Sequence, residues 1–169
     1  MPRSLRVLCA VLALCLLLGG CDALQKKQTV TCGELVLTLP ASYVDLSDQD
    51  YAAGFSFVYG FENEAVLAIS ESRAALEAYY PDINAEKYAM LFVETNGLDS
   101  QVGKLGELVT FTYTANAEET ELSYLCGVFM SGENFWCVQF YCPTEAFGNN
   151  QAEFMDYLQK IQVQETLTN

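Results

Sequence analysis

The stretch that decides the fold is Glu121–Cys142, which reads ELSYLCGVFMSGENFWCVQFYC. Apolar side chains alternate through its first half and occupy both odd and even positions of its second half. Strands that are apolar on both faces lie in the middle of a sheet covered on both sides. The polar residues 131–134 between the halves are typical of a tight turn. The stretch therefore predicts two neighbouring antiparallel strands at the centre of a sheet.

The flanking segments extend this pattern. Residues 107–114 alternate as a third strand, and the short polar link 115–120 makes that strand an antiparallel neighbour of the first. Pro143 ends the last strand. A helix is predicted to begin near Asn150, because apolar residues then recur at helical spacing through Ile161.

The N-terminal half adds strands and another helix. Leucines alternate over 34–39, and aromatic residues alternate over 55–61 before a partner strand at 65–70. Asn84 suits a helix N-cap, and Asn96-Gly97 suits its end. The order of elements predicts an α+β fold, an antiparallel sheet of about five or six strands flanked by helices.

The N-terminus has the pattern of a secretion signal. Arg3 and Arg6 precede an apolar run over 7–18, which is shorter than the roughly 20 residues needed to span a bilayer. Leu18-Gly19-Gly20-Cys21 follows and resembles the lipobox of bacterial lipoproteins. The resemblance implies cleavage before Cys21, acylation of its thiol (a palmitate-type modification) and anchoring of the mature chain to the membrane by lipid.

Composition limits the domain and its partners. Residues 1–20 are the predicted signal peptide, 21–30 a lipidated tether, and 31–165 a single domain. Without the signal peptide the chain has six basic and 22 acidic side chains, a net charge of −16. Such a surface repels nucleic acids and anionic lipid faces, so no nucleic-acid partner is expected. The chain has no histidine, which removes the commonest general base and most zinc sites.

The cysteines leave one question open. Four follow the predicted anchor, and none forms a C-x-x-C pair, so thiol oxidoreductase chemistry is not expected. Cys126 and Cys137 lie on neighbouring predicted strands. If the turn is Ser131-Gly132, the two stand directly opposite. A Cys126–Cys137 disulfide and free buried thiols are therefore both open.

The pattern of acidic residues indicates no particular site. Asp45, Asp48 and Asp50 lack the glycine and distal glutamate of a calcium loop. Residues 118–121 are predicted to form a solvated turn. We therefore predict no catalytic residue, no metal site and no cofactor.

Several segments resemble the PsbP-like fold. Leu35–Tyr43 is similar to its opening strand and Asn84–Tyr88 to the start of its main helix. Tyr124–Met130, Asn134–Phe140 and the terminal helix are similar to its closing hairpin and helix. This fold is shared by an extrinsic subunit of photosystem II, a eukaryotic Ran-binding protein and many bacterial lipoproteins. The resemblance implies a binding or accessory module rather than an enzyme.

Three functions follow as hypotheses. The first is a monomeric, non-enzymatic binding or accessory lipoprotein on the extracytoplasmic face of a bacterial cell membrane, with an envelope protein as partner. The second is a small-ligand-binding or sensing module with an aromatic groove, since the chain has ten Tyr and ten Phe. The third is a hydrolase that uses a carboxylate pair.

Overall fold

The computed structural model describes residues 26–49, 52–117 and 119–164. Ten strands and three helices lie within these ranges. They are β1 (Lys27–Cys32), β2 (Leu35–Pro40), β3 (Val44–Asp45), β4 (Phe57–Phe61), β5 (Glu64–Ser72), α1 (Arg73–Glu77), α2 (Ala85–Thr95), β6 (Gly103–Leu105), β7 (Leu108–Ala117), β8 (Thr120–Met130), β9 (Asn134–Pro143), α3 (Thr144–Gln159) and β10 (Gln162–Val163). The predicted α+β class is confirmed.

The larger of the two sheets has seven antiparallel strands in the order β3-β4-β5-β9-β8-β7-β6. Its centre is β9, as the two-faced apolar pattern predicts. The predicted β7–β8–β9 meander is confirmed, and so is the hairpin between β4 and β5. The sheet exceeds the predicted five or six strands because the short edge strands β3 and β6 lack an apolar pattern.

The two faces of β9 pack into different hydrophobic clusters. Trp136, Val138 and Phe140 point into a cluster with α3 and the second, three-stranded sheet, β1-β2-β10. Phe135 and Cys137 point to the other face, which α2 covers. Since Phe140 and Val138 are fully buried, this central strand supplies much of the apolar burial that stabilises the domain.

Local signals explain the limits of α2. The Asn84 side chain accepts a hydrogen bond from the Lys87 amide at 3.0 Å, which confirms the predicted N-cap. Gly97 adopts a φ of +62° directly after the helix, and the Leu98 amide donates to the Val93 carbonyl at 3.0 Å. This is the left-handed glycine ending that the sequence indicates.

Two boundaries differ from the predictions. Helix α3 begins at Thr144, directly after Pro143, rather than near Asn150. Residues 27–30, assigned above to the tether, belong to β1 and pair with β2. Their sequence pattern is weak because Val30 is the one buried side chain of β1. The rest of the predicted signal peptide and tether, residues 1–25, lies outside the described residues.

Candidate binding cleft

A cleft of about 740 Å³ opens at one end of the seven-stranded sheet. The β4–β5 turn, strand β3 and the start of β8 surround it, and we call it the end cleft. Its lining residues are Ser42, Val44, Leu46, Gly60, Phe61, Glu62, Asn63, Glu64, Ala65, Ala117, Thr120, Leu122, Tyr141 and Pro143. Its size lies within the range of ligand-binding pockets, about 300–1,000 Å³.

Much of the lining of the end cleft is apolar. Val44 and Phe61 leave 56% and 43% of their surfaces exposed, although both are large hydrophobic residues. Phe61 ends the predicted aromatic alternation of β4, in which Phe57 is buried and Tyr59 half-buried. At Gly60 an added Cβ would lie 2.9 Å from the Leu46 side chain, so glycine lets Leu46 pack closely against β4.

Two carboxylates line the end cleft, and its lining contains no Lys or Arg. Glu62 is exposed in the β4–β5 turn with a φ of +54°, a conformation that non-glycine residues rarely adopt. The Glu64 carboxylate accepts hydrogen bonds from the Tyr43 hydroxyl at 3.0 Å and the Asn150 amide at 2.7 Å. Burial and the neighbouring Glu64 charge raise the pKa of Tyr43, so its phenol stays a donor. The end cleft therefore combines apolar surface with negative charge.

The start of the domain lies beside the end cleft. The Ala41 amide donates to the Lys26 carbonyl at 2.8 Å, and Ser42, the next residue, lines the cleft. Any segment that precedes Lys26 therefore leaves the domain close to this cleft.

A buried carboxylate lies at the opposite end of the sheet. Glu34 Oε2 accepts from Trp136 Nε1 at 2.9 Å and from Asn134 Nδ2 at 3.0 Å. Burial acts to raise the pKa of Glu34, but the hydrogen bonds from Asn134 and Trp136, together with the nearby Ser131 hydroxyl and Glu133 amide, lower it. The carboxylate thus stays ionised and ties the β1–β2 turn to the β8–β9 turn. Sequence reasoning missed this role, because a lone glutamate after a turn glycine carries no distinctive signal.

An aromatic cavity of about 180 Å³ lies between the sheet and the end of α2. The Tyr113 and Tyr124 rings stack with centroids 4.4 Å apart, and the Tyr113 hydroxyl donates to Gln139 Oε1 at 2.7 Å. Its other lining residues are Phe55, Leu67, Ile69, Phe92, Asn96 and Leu98. The cavity is smaller than common ligand pockets.

Cys126 and Cys137 are free buried thiols in this structure, not a disulfide. The β8–β9 turn is centred on Gly132 and Glu133, not on Ser131-Gly132, because the Ser131 amide donates to the Asn134 carbonyl at 2.9 Å. That shift of register pairs Cys126 with Gln139 and Cys137 with Val128. The two thiols are diagonal neighbours, and burial followed by the Cys137 contact raises the pKa of Cys126.

The other residues weighed in the sequence analysis form no site among the described residues. Cys21, Asp50 and Glu118 lie outside the described residues. Asp45 Oδ1 accepts from the Ser47 amide at 2.9 Å, so this carboxylate stabilises its own loop. Across residues 26–49, 52–117 and 119–164 there is no group of three or more Cys, Asp or Glu side chains that could hold a metal ion. No helix in these ranges is long and apolar enough to cross a membrane.

Comparison with solved structures shows a PsbP-like fold. Cyanobacterial PsbP (CyanoP) from Synechocystis sp. PCC 6803 is 11% identical, with a TM-score of 0.55 over 82% of this chain and 91% of that one. The protein Mog1 is 13% identical, with a TM-score of 0.50 over 84% and 97%. A Bacteroides thetaiotaomicron protein is 12% identical, with a TM-score of 0.55, and 49% of its length is covered.

These similarities confirm the fold that the sequence segments resemble. No protein-family model matches the chain, and no curated protein matches its sequence.

Proposed function

We propose that this protein is a non-enzymatic binding domain, anchored by lipid at Cys21, which holds a polypeptide partner at the outer face of a bacterial membrane. The observation that carries the proposal is the end cleft, a large apolar and acidic concavity beside the start of the domain. A site in this position lies near the point where the segment that precedes Lys26 leaves the domain.

The charged groups support binding rather than catalysis. The chain has no histidine to activate a nucleophile. A carboxylate general acid needs a raised pKa, whereas hydrogen bonds lower the pKa of both Glu34 and Asp45. In the end cleft, Glu64 is held by Tyr43 and Asn150 in a structural arrangement.

The anchor is tested by Cys21→Ala. Because lipobox processing requires the lipidated thiol, the variant should accumulate as uncut precursor. Mass spectrometry of wild-type membranes should find two or three acyl chains on an N-terminal Cys21. A mature protein with a free Cys21 thiol contradicts the anchor.

The cleft is tested by photo-cross-linking in intact membranes. A photoreactive amino acid at Phe61 should capture a discrete polypeptide, whereas the same group at Met90, 51% exposed on α2, should not. Identical adducts at both positions, or none at Phe61, contradict the proposal. Substrate turnover that disappears on changing a single Asp or Glu contradicts its non-enzymatic part.

A small ligand in the aromatic cavity is the second candidate. The polar Tyr113–Gln139 pair beside stacked rings is the observation that favours it. A bulky Leu98→Trp substitution should then exclude a ligand that native mass spectrometry finds with the wild-type protein. Wild-type protein that carries no bound mass argues against this candidate.

A further inference from the structure

We infer that the occupant of the end cleft is a cationic polypeptide segment at the membrane surface, with Lys or Arg beside an apolar side chain. The inference rests on the proposed function and specifies the chemistry of the partner.

Charge complementarity is the first support. The described residues include 18 acidic and six basic side chains, and three of the basic ones form ion pairs away from the end cleft. Lys26 and Lys27 lie near the cleft at the start of β1 but do not line it. Glu62 has no ion-pair partner among the described residues, and Glu64 receives only neutral donors. A cation from another chain can therefore supply the charge that this lining lacks.

The apolar surface shows that the ligand is more than a small cation. Val44 and Phe61 line the cleft with the acidic turn and leave about half of their surfaces exposed. A simple metal or ammonium ion leaves them in contact with water, whereas a neighbouring apolar side chain covers them. Burial of that surface contributes roughly 25 cal/mol per Å². A basic residue next to an apolar one matches both parts of the lining.

The short segment between Cys21 and Lys26 limits where the partner can lie. Since β1 begins at Lys27, only five residue steps separate the proposed anchor Cys21 from Lys26. Fully extended, five steps reach about 18 Å at most. The end cleft lies next to Lys26, so its occupant must approach within a short distance of the lipids. Anionic headgroups are repelled by the acidic surface, which favours a polypeptide over the membrane itself.

Defined peptides test the chemistry. The probes are fluorescent octapeptides of alternating Lys and Leu or alternating Glu and Leu, and the protein is the lipidated full chain in phosphatidylcholine nanodiscs. We expect saturable binding of the Lys-Leu peptide alone, weakened by added salt because the charges are exposed.

Matched variants localise that binding. Glu62→Lys should weaken it about fivefold, as expected for reversal of an exposed charge. Glu94→Lys, at an exposed position of α2, should change it by less than about twofold. Phe61→Ser should weaken it more than Leu105→Ser, because Phe61 lines the end cleft and Leu105 does not. The two side chains are otherwise matched, with exposures of 43% and 45%.

Several outcomes overturn the inference. The inference is wrong if Glu62→Lys and Glu94→Lys weaken binding of the Lys-Leu peptide equally. It is also wrong if the Glu-Leu peptide binds as tightly as the Lys-Leu peptide. Glu62-dependent binding to vesicles of anionic phosphatidylglycerol without peptide shows that the membrane is the ligand instead. A partner cross-linked through position 61 but unaffected by Glu62→Lys overturns this inference and leaves the proposed function standing. The absence of any cross-linked partner overturns the proposed function itself.

Discussion

At the scale of single residues, Glu34 is a buried carboxylate that links two distant turns. Its carboxylate accepts hydrogen bonds from Trp136 and Asn134, across about 100 residues of sequence. Glu34→Gln keeps the shape, but its neutral carbonyl oxygen accepts the Trp136 and Asn134 bonds more weakly than the carboxylate does. Its NH2 group takes the place of Oε1, which is buried without a hydrogen-bond partner. We expect a loss of about 1–3 kcal/mol in the free energy of unfolding by urea. Glu107→Gln, at an exposed turn, is the control and should change it by less than about 0.5 kcal/mol.

The same residue makes stability depend on pH. Folding lowers the pKa of Glu34, so its stabilising contribution is complete above the ordinary glutamate pKa, about 4.3, and is lost as pH falls through the lowered value. Urea midpoints measured from pH 6 down to pH 2 should therefore converge for the wild type and Glu34→Gln. A constant difference across that range contradicts this assignment.

The cysteines give a second residue-scale prediction. Cys126, Cys137 and Cys142 are buried, whereas Cys32 is half-buried. Iodoacetamide should modify Cys32 first in the folded protein and reach the other three only in denaturant. Peptide mass spectrometry reads both the order of labelling and any Cys126–Cys137 bond. A disulfide in native protein contradicts the free thiols of this structure.

Sequence alone could not settle that pair, for a specific reason. The strands on which Cys126 and Cys137 lie are evident from their apolar patterns, but the residues at the centre of the turn fix which positions oppose each other. A shift of the turn by one residue moves the pairing by two positions, from Cys137 to Gln139 opposite Cys126. The hydrogen bonds of Ser131 with Asn134 decide the turn, and no propensity ranks them in advance.

At the scale of elements, β9 is the central strand of the larger sheet and is buried on both faces. Phe140 is fully buried and packs against Phe154 and Tyr157 of α3, with centroids 5.3 and 5.6 Å away. Phe140→Ala should lower the free energy of unfolding by about 3–5 kcal/mol, because it leaves a cavity between sheet and helix. Phe61→Ala, on a partly exposed phenylalanine, should cost much less. A loss below about 1 kcal/mol at Phe140 contradicts its central position.

The β1–β2 turn gives the next prediction. Gly33 has a φ of +54°, and a Cβ there would lie 2.9 Å from two ring atoms of Trp136. Gly33→Ala should therefore destabilise the domain through both backbone strain and collision with the indole. Gly97→Ala is the control, since it shares the positive φ but has open space around it. Thermal unfolding should show a larger fall in Tm for Gly33→Ala.

Elements were predictable where their pattern is long and apolar. The meander, the β4–β5 hairpin and α2 carry strong periodicity or caps, and all three were predicted. Strand β1 was not predicted, because its own composition gives no clear strand pattern. It forms a strand by pairing with β2. The end cleft was not predictable either. Val44, Phe61 and Glu62 belong to separate elements, and only the fold brings them together.

At the scale of the whole molecule, both halves of the chain are needed to form the larger sheet and the first hydrophobic cluster. Strand β5 pairs with β9, and α3 and β10 contact β2. The first hydrophobic cluster therefore contains β1, β2 and α3 together. A chain ending at Pro143 lacks one wall of that cluster. We expect it to be degraded by thermolysin under conditions that leave the complete chain intact. Resistance equal to that of the complete chain contradicts this interdependence.

This arrangement bears on how the protein is made. Strand β9 spans residues 134–143, so the ribosome delivers the centre of the sheet only after it has made β1 to β8. The N-terminal strands emerge long before the partners that bury them, and early segments have no complete core on which to collapse. For an exported protein, as we propose this one to be, that delay is an advantage. A polypeptide that cannot complete its sheet until its central strand is made stays unfolded longer, and an unfolded chain is what a narrow translocation channel can admit.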